Sequence, residues 1–245
     1  MKAKNIYLML FLLILTLLLG SEILVSMNEL FGILLYAFWL LILLVLLSTA
    51  KFRYTPRNFF IALTALPTIR LVSLLIPIND FSFIDKILVI YSIFFIISLI
   101  HIYNLKVSFK GLYKSKGFGY IFGVFIVIVI SLLKYVLTKP TNIVLPSYIG
   151  LGIIIFASFT HVLFFRGIIQ NLSEKVFGFK GIILTSLLIS VMQVNYQSIV
   201  GIFFIFLSST VLGLMYFESR NLYLIAIIVS VLNILELVVF PLINL

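Results

Sequence analysis

Apolar runs of close to twenty residues recur along the whole chain, and few folds accommodate such a pattern. An α-helix rises about 1.5 Å per residue, so a run of this length crosses a hydrocarbon core of roughly 30 Å. The runs fall near residues 6–27, 30–50, 59–78, 84–104, 118–137, 148–166, 181–196, 199–217 and 222–243. The seventh is the shortest, and the sixth reads as a helix that continues past its charged end. Backbone N–H and C=O groups inside a bilayer must pair internally, so the spanning elements are expected to be helices. The expected fold is therefore all-α, a polytopic transmembrane helical bundle of about 8–9 spans. Short connections favour antiparallel neighbours.

Composition excludes the soluble alternative. Of 245 residues, 64% are hydrophobic and only 10% charged, against roughly 25% charged in soluble domains. The formal net charge of +10 is spread between the apolar runs and forms no basic domain, so a nucleic-acid partner is not expected. The absence of cysteine removes disulfides, thiolate metal sites and cysteine nucleophiles. With His101 and His161 as the only histidines, a multi-histidine metal site within one chain is excluded. The first run is too long for a signal-peptide core and lacks a small-residue cleavage site, so it is expected to be a retained span.

Lysine and arginine placement predicts orientation. Lys2, Lys4, Lys51, Arg53, Arg57, Lys106, Lys110, Lys114, Lys116, Arg166, Lys175, Lys180 and Arg220 all fall on one side of the span pattern. That side should be the cytoplasm, and the N-terminus should lie there. The opposite connections carry Glu29, Asp80, Asp85, Lys86 and Lys139.

Ionisable groups inside spans are costly and mark candidate functional positions. Arg70, His101, Lys134, His161, Arg166 and Glu236 fall in this class. Lys134, near a span end, is expected to snorkel to the interface, and His101 reads as an interfacial histidine. Arg70 follows Pro67 in mid-span and is expected to pair with a carbonyl or a carboxylate. The densest polar group lies in the last hundred residues. His161, Arg166 and Gln170 occupy successive turns of one helix. Gln193 and Asn195 lie in the seventh run, and Asn233 and Glu236 share a face of the ninth. These side chains are positioned either to line a common interior cavity or to act as interhelical hydrogen bonds, each contributing on the order of 1 kcal/mol.

The same region carries motif fragments in a fixed order. HVLFFRGIIQNLSEKVFG contains Phe165, Arg166 and Gly167 and runs to Gly178. SLLISVMQVNYQ follows, then TVLGLMYFESRNLYLIAIIVSVLN with Gly213, Tyr216, Glu218, Asn221 and Tyr223. LKVSFKGLYKSKG precedes them all. Over roughly residues 105–240 this order resembles the CPBP family, the intramembrane proteases related to the CAAX-processing endopeptidase and to bacteriocin self-immunity proteins. The resemblance divides the chain into N-terminal transmembrane helices, 1–104, and CPBP-like core helices, 105–245.

The resemblance also implies site positions, and the departures there matter more than the matches. The family's glutamate pair aligns with His161 and Val162, its first motif histidine with Gln193, and its final histidine and asparagine with Val229 and Asn233. Valine neither ligates a metal nor transfers a proton, and a neutral amide is no general base near pH 7. A catalytic zinc takes three protein ligands and keeps one position open. The set implied here retains only His161, with Glu236 one turn beyond Asn233. No metal site and no cofactor are expected, and zinc enters only if the family chemistry survives with substituted groups.

Three functions follow as expectations. The first is a catalytically degenerate CPBP-like membrane protein that binds or scaffolds through His161, Arg166, Gln193, Asn233 and Glu236, in a self-immunity or membrane-partner role. The second is an active intramembrane metalloprotease with substituted catalytic groups. The third is a transporter or channel, with Arg70 and Lys134 along its path and Pro67 and Pro77 in a broken helix. The expected partners are membrane lipids and a membrane protein or peptide, and the resemblance places the chain in a bacterial plasma membrane.

Overall fold

The computed structural model describes residues 2–49, 54–75, 83–107, 119–138 and 148–242. Lys51, Arg53, Pro77, Asp80, Lys110, Lys114, Lys116 and Lys139 lie outside the described residues. The described chain is helical: α1 (Lys2–Met27), α2 (Glu29–Thr49), α3 (Tyr54–Leu63), α4 (Ala65–Leu75), α5 (Phe83–Leu105), α6 (Gly119–Thr138), α7 (Tyr148–Val162), α8 (Asn171–Phe177), α9 (Lys180–Val191), α10 (Ile199–Ser219), α11 (Leu222–Ile234) and α12 (Phe240–Leu242). A π-helical stretch, Leu163–Gln170, joins α7 to α8, and another, Leu235–Val239, joins α11 to α12. No strand occurs among the described residues.

Among the described residues, eight stretches are long and apolar enough to cross a membrane. One of them, Thr55–Leu75, contains the break at Thr64 between α3 and α4, where Thr64 N–H bonds back to the Ile61 carbonyl. Pro67 accounts for that break, since it has no N–H to give to the carbonyl of Leu63. Another runs without interruption from Tyr148 to Phe177. Arg166 therefore sits inside a 30-residue helix, which continues past its charged end as the sequence predicts.

The seventh run differs from its expectation. Its helix, α9, has 12 residues, a length of about 18 Å, and residues 192–197 form turns. Gln193, Asn195 and Gln197 leave too little apolar chain for a full span, and Ser198 caps α10 by accepting the Gly201 N–H at 3.1 Å. Ser173 Oγ donates to the Gly181 carbonyl at the start of α9, and Arg220 at the end of α10 meets Glu174 at 2.6 Å. The α9–α10 hairpin thus leaves and rejoins the bundle beside α8. Gly178, with φ +66°, ends α8 and permits the reversal.

The larger apolar core joins both segments of the chain. Phe11, Trp39, Phe59 and Phe60 from the N-terminal helices pack in one cluster with Phe164, Phe165, Ile168 and Leu188. Phe94 meets Phe164 edge-on at 4.9 Å, which presses α5 against the π-helical stretch. That packing fixes the depth and rotation of the helix carrying His161 and Arg166.

Candidate intramembrane site

Helix Tyr148–Phe177 supplies the centre of the site. In its π-helical stretch the turn is wider than in an α-helix, a distortion frequent at functional positions, and both His161 and Arg166 face one cavity. The cavity holds about 270 Å³. α6 contributes Ser131 and Lys134, the turn after α9 contributes Gln193 and Gln197, α10 contributes Ser208 and Ser209, and α11 with its π-helical end contributes Val229, Asn233 and Glu236. All five positions aligned with the family motifs, His161, Val162, Gln193, Val229 and Asn233, line this one cavity, as do Arg166 and Glu236.

Most of its polar groups are already bonded. Asn233 Nδ2 donates to Ser158 Oγ at 2.8 Å. Glu236 accepts Ser131 Oγ at 2.7 Å and Lys134 Nζ at 2.6 Å. Arg166 donates to Gln170 Oε1 at 2.9 Å and to the carbonyl and hydroxyl of Ser209 at 2.5 and 2.7 Å. Gln170 then donates to Glu174 and to the Gly213 carbonyl. Gly213 allows this approach of α10, because a Cβ there would lie 2.7 Å from Ile182 and 2.9 Å from Arg166 Nη1.

A second cavity of about 490 Å³ adjoins the first, with Tyr91, His161, Ile189 and Gln193 lining both. Its other walls include Ile69, Arg70, Leu74, Ile87, Phe94, Phe165 and Met192, with Glu29 and Lys86. The His161 ring packs on Phe165 at 4.6 Å. Neither the His161 ring nor the Gln193 amide receives a side-chain hydrogen bond from a described residue, so both remain available on the shared wall.

Of the other ionisable groups marked within spans, Arg70 and Lys134 are in ion pairs. Arg70 binds Glu22 through two nitrogens, at 2.7 and 2.5 Å, while Tyr36 donates to the same carboxylate and Arg70 Nη1 donates to Tyr196 Oη. Lys134 is the partner of Glu236 and does not reach away from the bundle as a lone cation. The two residues named for an ion path are thus both in ion pairs. His101 ties α5 to α3 through the carbonyls of Ile97 and Ile61, at 2.9 and 3.3 Å.

Glu22 escaped the sequence reading because it sits alone in a long apolar run. The signal was available, since a fully buried glutamate in one span requires a cation from another. Ser158, Ser209 and Tyr91 were not singled out, and their bonding or cavity position depends on register between helices. Asn221, noted for its motif position, caps α11 by accepting the Leu224 N–H at 3.0 Å.

Residues 143–235 match the family model described as Type II CAAX prenyl endopeptidase Rce1-like. The likeness to this branch of the CPBP family covers that segment, less than half of the chain. No curated protein and no solved structure matches the chain. The matched segment encloses all five motif positions, and Glu236 lies just beyond its edge. Among the cavity's side chains the donors do not fit a catalytic zinc. His161 is the one strong ligand among the aligned positions, Glu236 is held by Lys134, and no three His, Cys, Asp or Glu side chains gather among the described residues.

Proposed function

We propose that this CPBP-type membrane protein acts by binding or scaffolding and that its protease chemistry is lost. The observation that carries this reading is the wall between the two cavities. It stands where the aligned family motifs converge, yet it offers hydrogen-bonding groups, His161 and Gln193, in place of a metal-ligand set. Val162 and Val229 cannot move a proton, and the Asn233 amide is committed to Ser158. What remains suits capture of a peptide or lipid-linked ligand within the bilayer. Two adjoining chambers, mostly apolar with a few directed polar groups, are the usual form of a ligand site. Self-immunity, in which an intruding peptide is sequestered, is one role such binding would serve.

The lysine and arginine distribution supports a cytoplasmic N-terminus, and the family resemblance supports a bacterial plasma membrane. Membrane lipids and a membrane protein or peptide are the partners this reading names.

The test compares detergent-purified protein with His161→Ala and with Val229→Trp, which fills the smaller cavity. Metal content, cleavage of a prenylated peptide and co-purifying small molecules are measured on all three. The expected result is no zinc, no cleavage, and a bound species lost in Val229→Trp. Near-stoichiometric zinc that disappears in His161→Ala, or peptide cleavage, would restore the protease; identical co-purifying material in every sample would remove the cavity from the binding role.

A further inference from the structure

Charge on the walls of the smaller cavity does not balance. Lys134 and Glu236 neutralise each other. Arg166 is only 3% exposed and has no carboxylate within ion-pair distance among the described residues; its acceptors, Gln170 and Ser209, are neutral. The acid reached through this network is Glu174, which accepts Gln170 Nε2 at 2.8 Å and Arg220 Nη2 at 2.6 Å. Glu174 is already the ion-pair partner of Arg220, so Arg166 has no carboxylate of its own and one positive charge is in excess. A cation at this depth is costly when unpaired, and the low dielectric that makes it costly strengthens its attraction for an anion. Of the five N–H donors of a guanidinium, Arg166 directs three at those acceptors. The other two have no acceptor among the described residues.

We propose that the ligand of these chambers carries a single carboxylate, received against Arg166 in the smaller cavity. This rests on the binding reading above and adds the ligand's chemistry. A carboxylate supplies one negative charge, which matches the single excess cation, whereas a doubly charged phosphate would overshoot it. The neutral body of the ligand then passes His161 and Gln193, and its apolar part occupies the larger cavity. The same chemistry has two sources, a free long-chain fatty acid and the C-terminus of an apolar peptide.

The experiment uses the full chain in lipid nanodiscs and two fluorescent probe pairs. One pair is a long-chain fatty acid and its primary amide; the other is an apolar pentapeptide as free acid and as C-terminal amide. The expected result is that the acid of at least one pair binds about tenfold or more tightly than its amide, as for a charge-assisted hydrogen bond. Preference confined to the fatty acid assigns a lipid source, and preference confined to the peptide assigns a C-terminus. Arg166→Lys should keep part of the preference and Arg166→Gln should lose it. Ser208→Asp leaves Arg166 in place and puts a competing carboxylate on the cavity wall, so it should abolish the preference even if Arg166→Gln fails to assemble. Equal binding of acid and amide in both pairs overturns the carboxylate assignment and leaves the binding reading standing. A preference that survives Ser208→Asp, or no binding of any probe, overturns it as well, while the co-purification test judges the binding reading separately.

Discussion

Glu22 and Arg70 carry the strongest single-residue consequence of the structure. Both are buried, they meet through two hydrogen bonds, and Tyr36 and Tyr196 complete the pair's polar shell. Removing one partner leaves a charge without its counter-ion, at a cost of about 3–5 kcal/mol. Glu22→Leu and Arg70→Met should each lower thermal stability in detergent sharply. The double variant should recover most of the loss, because apolar residues of similar volume replace both ions. A double-mutant cycle on unfolding midpoints checks this, and additive losses would count against the pair's isolation. Gly213 gives a second residue-scale prediction. Gly213→Val must displace Ile182 or Arg166, so a stability loss of about 1–3 kcal/mol is expected, with weakened contact between α10 and the Arg166–Gln170 turn. Gly152, where an added Cβ meets nothing within 4 Å, should tolerate alanine without a comparable loss.

At the scale of elements, the short α9 decides how the site is built. A 12-residue helix ends well inside the hydrocarbon core, and irregular backbone at that depth is tolerated where it is buried in protein or lines a cavity. The turn after α9 carries Gln193 and Gln197 onto the cavity wall. A full-length span in its place would carry those side chains past the site. The cysteine-free sequence makes the prediction direct to test. A single cysteine at Gln193 should react slowly with a membrane-impermeant maleimide, and one at Lys175 quickly. Equal fast labelling would place the turn outside the membrane. The π-helical stretch from Leu163 to Gln170 is the other deciding element. Its wider turn sets His161 and Arg166 on one cavity, which the spacing alone does not guarantee.

At the scale of the molecule, the α9–α10 hairpin and the long helix share one end. Glu174, Arg220, Lys175 and Lys180 cluster there, and α3, which begins near Arg57, packs on α8. Glu29 and Lys86 both line the larger cavity. The positive-inside tendency predicts that the first group faces the cytoplasm. Single cysteines at Arg57 and Lys175 should label from the cytoplasmic face of sealed vesicles, and a cysteine at Glu29 from the opposite face. The reverse pattern would invert the assignment without altering the bundle.

The sequence by itself determined that this chain is a helical membrane bundle, because hydropathy is a local property that sums over a window of neighbours. It also placed His161, Gln193 and Asn233 at related positions through the order of short motifs, and it marked Arg70 as a residue in need of a partner. Only the tertiary structure decided who the partners are. Glu22 meets Arg70, Glu236 meets Lys134, and Asn233 meets Ser158, all across helices far apart in the chain. The physical reason is register: a shift of one residue turns a helical side chain by about 100°, so pairing depends on packing that no local window contains. The same holds for the seventh span, where apolar composition suggested a full crossing; the polar turn after Val191 ended the helix early, and Ser198 starts α10 directly after it.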